Sequence, residues 1–134
     1  NMDKYTLIVP GGVIRQEELS IVGDLTEDNF KHFHVDTALI SISGISLREG
    51  LTDYCFDEIR IKKKMMSIAQ EVIILADSSK FDTVSLVKVC DFDEIDLIVT
   101  DSNIKDSVLN KYGKQGIEII SSDKDYGVDE MSKN

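Results

Sequence analysis

A chain of 134 residues has material for one hydrophobic core and little left for a second. With 42% apolar and 30% charged residues, one proline and no tryptophan, its composition excludes a wholly disordered chain, and no apolar run approaches the roughly 20 residues that span a bilayer. A formal net charge of −10 excludes a domain that grips DNA by itself, because phosphate backbones are held by clustered Lys and Arg.

In chain order, the first predicted strand covers residues 5–9 and runs into Pro10-Gly11-Gly12, with Arg15 three residues on. Residues 13–22 show no helical period and read as a loop with a short extended piece. Residues 24–33 carry Leu25, Phe30 and Phe33 at loosely helical spacing. A second strand is expected at 37–42, followed by a loop over 43–51. A helix follows at 54–68, where Cys55, Ile59, Met66 and Ala69 mark an apolar stripe. The third strand, 71–76, exits into Asp77-Ser78-Ser79-Lys80-Phe81. Residues 91–94 form a turn into the fourth strand, 95–100. Ile104, Val108, Leu109 and Tyr112 then follow an amphipathic helical pattern, with Asp101 or Ser102 to cap it and Gly113 or Gly116 to end it. The last strand is 117–120.

The strands are nearly continuous in Ile, Val and Leu, as expected when both faces of a sheet are covered. Strand–helix alternation implies an α/β fold with a mostly parallel sheet and helices on both faces. Residues 1–120 are expected to form this one domain, and residues 121–134, polar and without periodicity, a frayed tail. Cys55 and Cys90 stand alone, with no CxxC motif, which fits a reducing cytoplasm.

Ligands of open parallel sheets bind at the carboxyl ends of the strands. Gly11 and Gly12 at a strand end let backbone amides approach an anion, and Arg15 offers a fork for phosphate; the alternative is a tight turn alone. The 77–81 loop combines an acceptor, two hydroxyls and a cation, the inventory a sugar phosphate needs; equally, Asp77 caps the next helix and Lys80 is simply exposed. Glu58 and Lys62 sit four apart, as in a surface ion pair on a helix. Arg60, Lys62, Lys63 and Lys64 read either as a solvated face or as part of an anion site. Thr52 falls close to a predicted helix N-terminus, an anion seat in principle. His32 and His34 lie on different faces with no third ligand nearby, so no metal site is expected, and no nucleophile or nucleotide motif is present.

The order Gly11-Gly12-x-x-Arg15, Val22-Gly23, Phe33-His34-x-Asp36-x-Ala38, Gly44-Ile45, Gly50-Leu51-Thr52, Glu58-x-x-x-Lys62, Leu75-Ala76-Asp77-Ser78-Ser79-Lys80-Phe81 and Asp93-Glu94-Ile95-Asp96-x-Ile98-x-Thr100-Asp101 resembles the sensor domain of the DeoR family of transcriptional regulators, over roughly residues 7–120. The resemblance implies a fold similar to ribose-phosphate isomerase, glucosamine-phosphate deaminase and the CoA-transferases. It also implies a phosphorylated-sugar effector, no cofactor and no enzymatic activity. Gly11, Gly12, Arg15, Gly44, Thr52, Glu58, Lys62, Asp77, Ser78 and Lys80 are the ligand-binding residues it points to. Partners implied are operator DNA, contacted only through a helix-turn-helix absent from this chain, and further copies in a dimer or tetramer. It implies, too, that the chain starts after the sensor's first strand–loop–helix–strand unit. Two departures bear on the ligand: Ser43-Gly44 where the family commonly has Asp-Gly, and Asp53-Tyr54-Cys55-Phe56 where it tends to show Thr, Pro and Asn. The rival readings are an isomerase- or deaminase-like enzyme, with Glu58 or Asp77 as base, and an interaction module without a ligand.

Overall fold

A computed structural model describes residues 4–122. At its centre is a parallel sheet of four strands, β3 (Val35–Ser41), β6 (Ala69–Leu75), β8 (Leu97–Thr100) and β9 (Ile119–Ser121), in that spatial order. These are four of the five strands expected. Ahead of them stand an antiparallel hairpin, β1 (Val13–Arg15) and β2 (Ser20–Val22), and the helix α1 (Asp24–Phe30). The crossover from β3 to β6 carries the strands β4 (Gly44–Ser46) and β5 (Gly50–Asp53) and then the helix α2 (Phe56–Ile68). From β6 to β8 the chain adds β7 (Val87–Cys90), which joins β4 and β5 in a small antiparallel sheet of order β4-β5-β7. The helix α3 (Asp106–Gly113) makes the last crossover, from β8 to β9. The α/β class expected from the strand–helix alternation is the one observed.

Alternation decides what the sheet buries. Ala38, Ile40, Val72, Ile74 and Ile98 share one face and form a single core with Ile59 of α2, Tyr112 of α3 and Ile45 and Leu51 of the small sheet. Among the described residues the opposite face is covered far less: Leu39 is 56% exposed, Leu75 41% and Ile120 51%. Tyr112 ties the layers together. It is fully buried, meets Phe81 and Phe92 edge to face, and its hydroxyl lies 3.1 Å from the Ile45 carbonyl and 2.9 Å from the Asp82 carboxylate. Burial and the Asp82 carboxylate push its hydroxyl up to about 12.

Several local expectations are corrected. Residues 5–9 form no strand, because a strand needs a neighbour for its backbone hydrogen bonds and none lies beside them among the described residues. Tyr5, Leu7, Ile8 and Val9 remain exposed. The loop expected over 43–51 is the β4–β5 hairpin, turned at Ser46, whose hydroxyl accepts from the amides of Arg48 and Glu49, and at Gly50, whose φ of +80° suits glycine. Residues 13–22 are a full hairpin, more than a loop with an extended piece. Lys105, not Asp101 or Ser102, occupies the N-cap of α3, since the Asp101 carboxylate accepts from the amides of Ser78 and Asn103 instead. Residues 121 and 122, expected in the polar tail, are paired: Ser121 ends β9 and the Ser122 amide bonds the Thr100 carbonyl, while residues 123–134 lie outside the described residues.

Candidate functional site

Beside β3, the first strand in the sheet order, lies a cleft of about 440 Å³. The hairpin contributes Glu18, Ser20, Ile21 and Val22, β3 contributes Leu39 and Ser41, and α2 contributes Glu58, Ile61, Lys62 and Met65. Its lining is mainly apolar with a few polar groups, the usual make-up of a small-molecule site.

Two of its polar groups, Glu58 and Lys62, stand one helical turn apart on α2, and each is ion-paired to a residue outside the lining. Arg15 of the hairpin donates to Glu58 at 2.9 Å, with the two side chains 23% and 17% exposed. Lys62 donates to Asp53 at 2.5 Å, and Asp53 is 3% exposed. Glu58 and Lys62 therefore do not pair with each other, as the isolated helix would have them do. Burial alone would raise the Asp53 carboxyl; hydrogen bonds from Lys62, the Ser43 hydroxyl and the Tyr54 amide outweigh it and hold the group below the ordinary carboxylate range. The basic run on α2 divides: Arg60 leaves for Asp24 and Glu27 of α1, at 2.9 Å each, while Lys62 turns to the cleft. The solvated-face reading thus suits Arg60 and fails for Lys62.

Asp77, Ser78 and Lys80 form a separate turn at the carboxyl end of β6. Asp77 caps a single 3-10 turn, Ser78–Lys80, by accepting from the Ser79 amide at 2.9 Å and from the Ser79 hydroxyl. These two bonds, hydroxyl first, hold its carboxyl below the usual value. Lys80 lies 3.8 Å from Asp77, a loose contact that leaves its side chain 38% exposed. The Ser78 amide is already taken by Asp101. Nearby, the Thr100 hydroxyl at the end of β8 is buried without a partner.

Gly11, Gly12, Gly44 and Thr52 lie apart from these groups, each engaged in packing or hydrogen bonds within the fold. The Gly11 amide donates to Asn29 and its carbonyl accepts from Thr26, so α1 uses both. A Cβ on Gly12 would stand 1.8 Å from the Thr26 hydroxyl; the glycine serves close packing under α1. A Cβ on Gly44 would stand 2.4 Å from the Thr52 oxygen for the same reason. Thr52 lies in β5, before the Cys55 cap of α2, and its oxygen accepts from the Ser85 amide at 2.8 Å. It is not a seat at a helix start.

Asp53 is the participant that sequence reasoning missed. Its signal lay in the two departures noted above. The register Gly44↔Thr52 carried on by one pair sets Ser43 opposite Asp53, and the Ser43 hydroxyl donates to that carboxylate at 2.8 Å.

The sequence model of the "DeoR C terminal sensor domain" matches residues 1–102. The "Putative aga operon transcriptional repressor" of Escherichia coli O157:H7 is 33% identical over 114 residues, 85% of this chain and 42% of the relative. The "HTH-type transcriptional repressor GlcR" of Bacillus subtilis is 32% identical over 119 residues, 89% of the chain and 46% of the relative. The "Glycerol-3-phosphate regulon repressor" of Escherichia coli K12 is 27% identical over 100 residues, 75% and 40% respectively. The chain thus spans less than half the length of these relatives. The matched domain is a regulatory sensor and the relatives are named as transcriptional regulators, so its class is regulatory and not enzymatic. No helix among the described residues is long and apolar enough to cross a membrane. With three quarters of its length matched by one family and a relative above 30% identity, the chain belongs to the DeoR family as a C-terminal sensor domain.

Proposed function

We propose that this chain is the effector-sensing domain of a cytoplasmic bacterial regulator of sugar utilisation, acting as a repressor, and that its cleft takes a phosphorylated sugar or catabolite. The observation that carries the reading is the cleft wall formed by α2, where Glu58 and Lys62 stand one helical turn apart, each held by an ion partner outside the lining, Arg15 and Asp53. Lys62 supplies a cation for a phosphate and Glu58 a carboxylate for sugar hydroxyls, beside an apolar floor for the carbon skeleton, with the Arg15 guanidinium 2.9 Å from Glu58. Lys80, with Asp77 and Ser78, offers a second polar group at the carboxyl end of β6, outside the cleft's lining. Operator DNA is assigned to a helix-turn-helix outside this chain, consistent with its net charge of −10. Assembly as a dimer or tetramer is supported by the exposed Leu39, Leu75 and Ile120.

Ligand binding to the folded form stabilises it by mass action, by about 2.7 kcal/mol at a hundredfold excess over Kd, and so raises its melting temperature. A panel of sugar phosphates and glycerol 3-phosphate should raise the transition saturably, and the unphosphorylated sugars should not. A panel in which no ester outperforms inorganic sulfate sinks the assignment. In the full-length regulator, Lys80→Ala and Asp77→Ala should lose inducer response while keeping operator binding. Retained induction in both removes the 77–80 turn from the site.

A further inference from the structure

We infer that the β1–β2 hairpin is a lid on this cleft, with Ser20 as its ligand-contacting hydroxyl and Arg15 as the latch that an incoming anion releases. The inference rests on the effector reading above and adds the regulation of that site.

Among the described residues the hairpin pairs only with itself: β1 and β2 form a two-stranded sheet separate from the other two. Such a unit is marginal in isolation, so its position depends on the contacts that hold it down. Two polar contacts reach the α2 region, Arg15 to Glu58 at 2.9 Å and the Tyr54 hydroxyl to Glu18 at 2.6 Å. Much of its first strand and turn is bare, with Val13, Ile14 and Leu19 exposed and Leu19 held at a φ of +52°.

Arg15 and Ser20 are directly opposed across the hairpin and therefore share one face. Ser20 lines the cleft, and its hydroxyl is buried with no hydrogen-bond partner. Buried hydroxyls are nearly always partnered, and an unpartnered one facing an open cleft is supplied by whatever fills it. Glu58 lines the same cleft and occupies the Arg15 guanidinium. A phosphate entering there competes with Glu58 for Arg15, and a hydroxyl or phosphate oxygen satisfies Ser20. Occupancy thus moves the hairpin's anchor from α2 to the ligand, and the exposed Val13–Ile14 edge moves with it.

The test is amide hydrogen exchange on the full chain, with glycerol 3-phosphate and glucose 6-phosphate as probes and inorganic phosphate as reference. Without ligand, Glu58→Gln and, separately, Tyr54→Phe should speed exchange at residues 13–22 by about tenfold, with β6 and β8 unchanged as proof of folding. Unchanged hairpin exchange in both variants overturns the latch. With a probe that raises the wild-type melting temperature, exchange in residues 13–22 should change. Ser20→Ala should weaken that probe about 5–10-fold without lowering the unliganded melting temperature, since it removes an unsatisfied group. A probe that binds wild type and Ser20→Ala alike, and leaves the hairpin's exchange untouched, overturns the lid while the effector reading stands. Failure of every ester to bind overturns both.

Discussion

Replacing Asp53 by asparagine should strand a charge. Lys62, only 16% exposed, would keep its ammonium against an apolar wall with its one close carboxylate gone. Removing one partner of a buried ion pair typically costs 3–5 kcal/mol, against 0–1 for an exposed pair. Because Lys62 borders a cleft that water enters, about 3 kcal/mol is expected for Asp53→Asn. For a domain of this size that corresponds to a melting temperature lower by about 10 °C. The partner variant Lys62→Met, combined with Asp53→Asn, should recover more than half of the loss, because the uncompensated charge is then absent. The pH dependence has a definite sign. The Asp53 carboxyl is held below its unfolded value, so its stabilisation is fully present at neutral pH and is lost as pH falls through the folded value, below about 4. Urea denaturation of the four-member cycle at neutral pH and near pH 3 measures both effects. A loss under 1 kcal/mol for Asp53→Asn at neutral pH would refute the buried-pair argument.

Gly12→Ala should destabilise by about 2 kcal/mol or more, because the new methyl meets the Thr26 hydroxyl and the backbone φ is +153°; a neutral result in thermal melts would show that α1 yields easily. Tyr112→Phe should cost about 1–2 kcal/mol, since the Asp82 amide and carboxylate both lose their contact with the phenol oxygen. Thiol titration with a disulfide reagent should find one fast cysteine in the native state and two in denaturant, because burial pushes the Cys90 thiol up to about 12 while Cys55 is partly exposed; two equally fast thiols would contradict that burial.

What could be read from the sequence followed the strength of local signals. Strands β3, β6, β8 and β9 are runs of Ile, Val and Leu, and α2 and α3 carry apolar stripes, so both periods were visible. Strands β4, β5 and β7 are three or four residues long, and β4 and β5 open with glycine, so nothing local distinguishes them from loop. Their sheet is completed by the pairing of β5 with β7 across more than thirty positions, such as Leu51 with Cys90. Residues 5–9 erred the other way: the pattern is a strand's, but a strand is a property of two segments. At the site, Glu58 and Lys62 were legible as a spaced pair, whereas their partners Arg15 and Asp53 come from other elements and depend on the tertiary fold. That the space beside Gly12 and Gly44 is filled by Thr26 and Thr52 is not written in any local pattern and emerges only from packing.

The thinly covered face of the parallel sheet has a colloidal consequence. Leu39, Leu75 and Ile120 present a sticky surface, and in dilute buffer the net charge of −10 holds copies apart. At about 0.1 M salt the screening length shrinks to roughly 10 Å, and repulsion no longer reaches across the gap between two such faces. Association of this chain should therefore grow with ionic strength, the reverse of an interface built from ion pairs, and light scattering across a salt series would show which force sets its state of assembly.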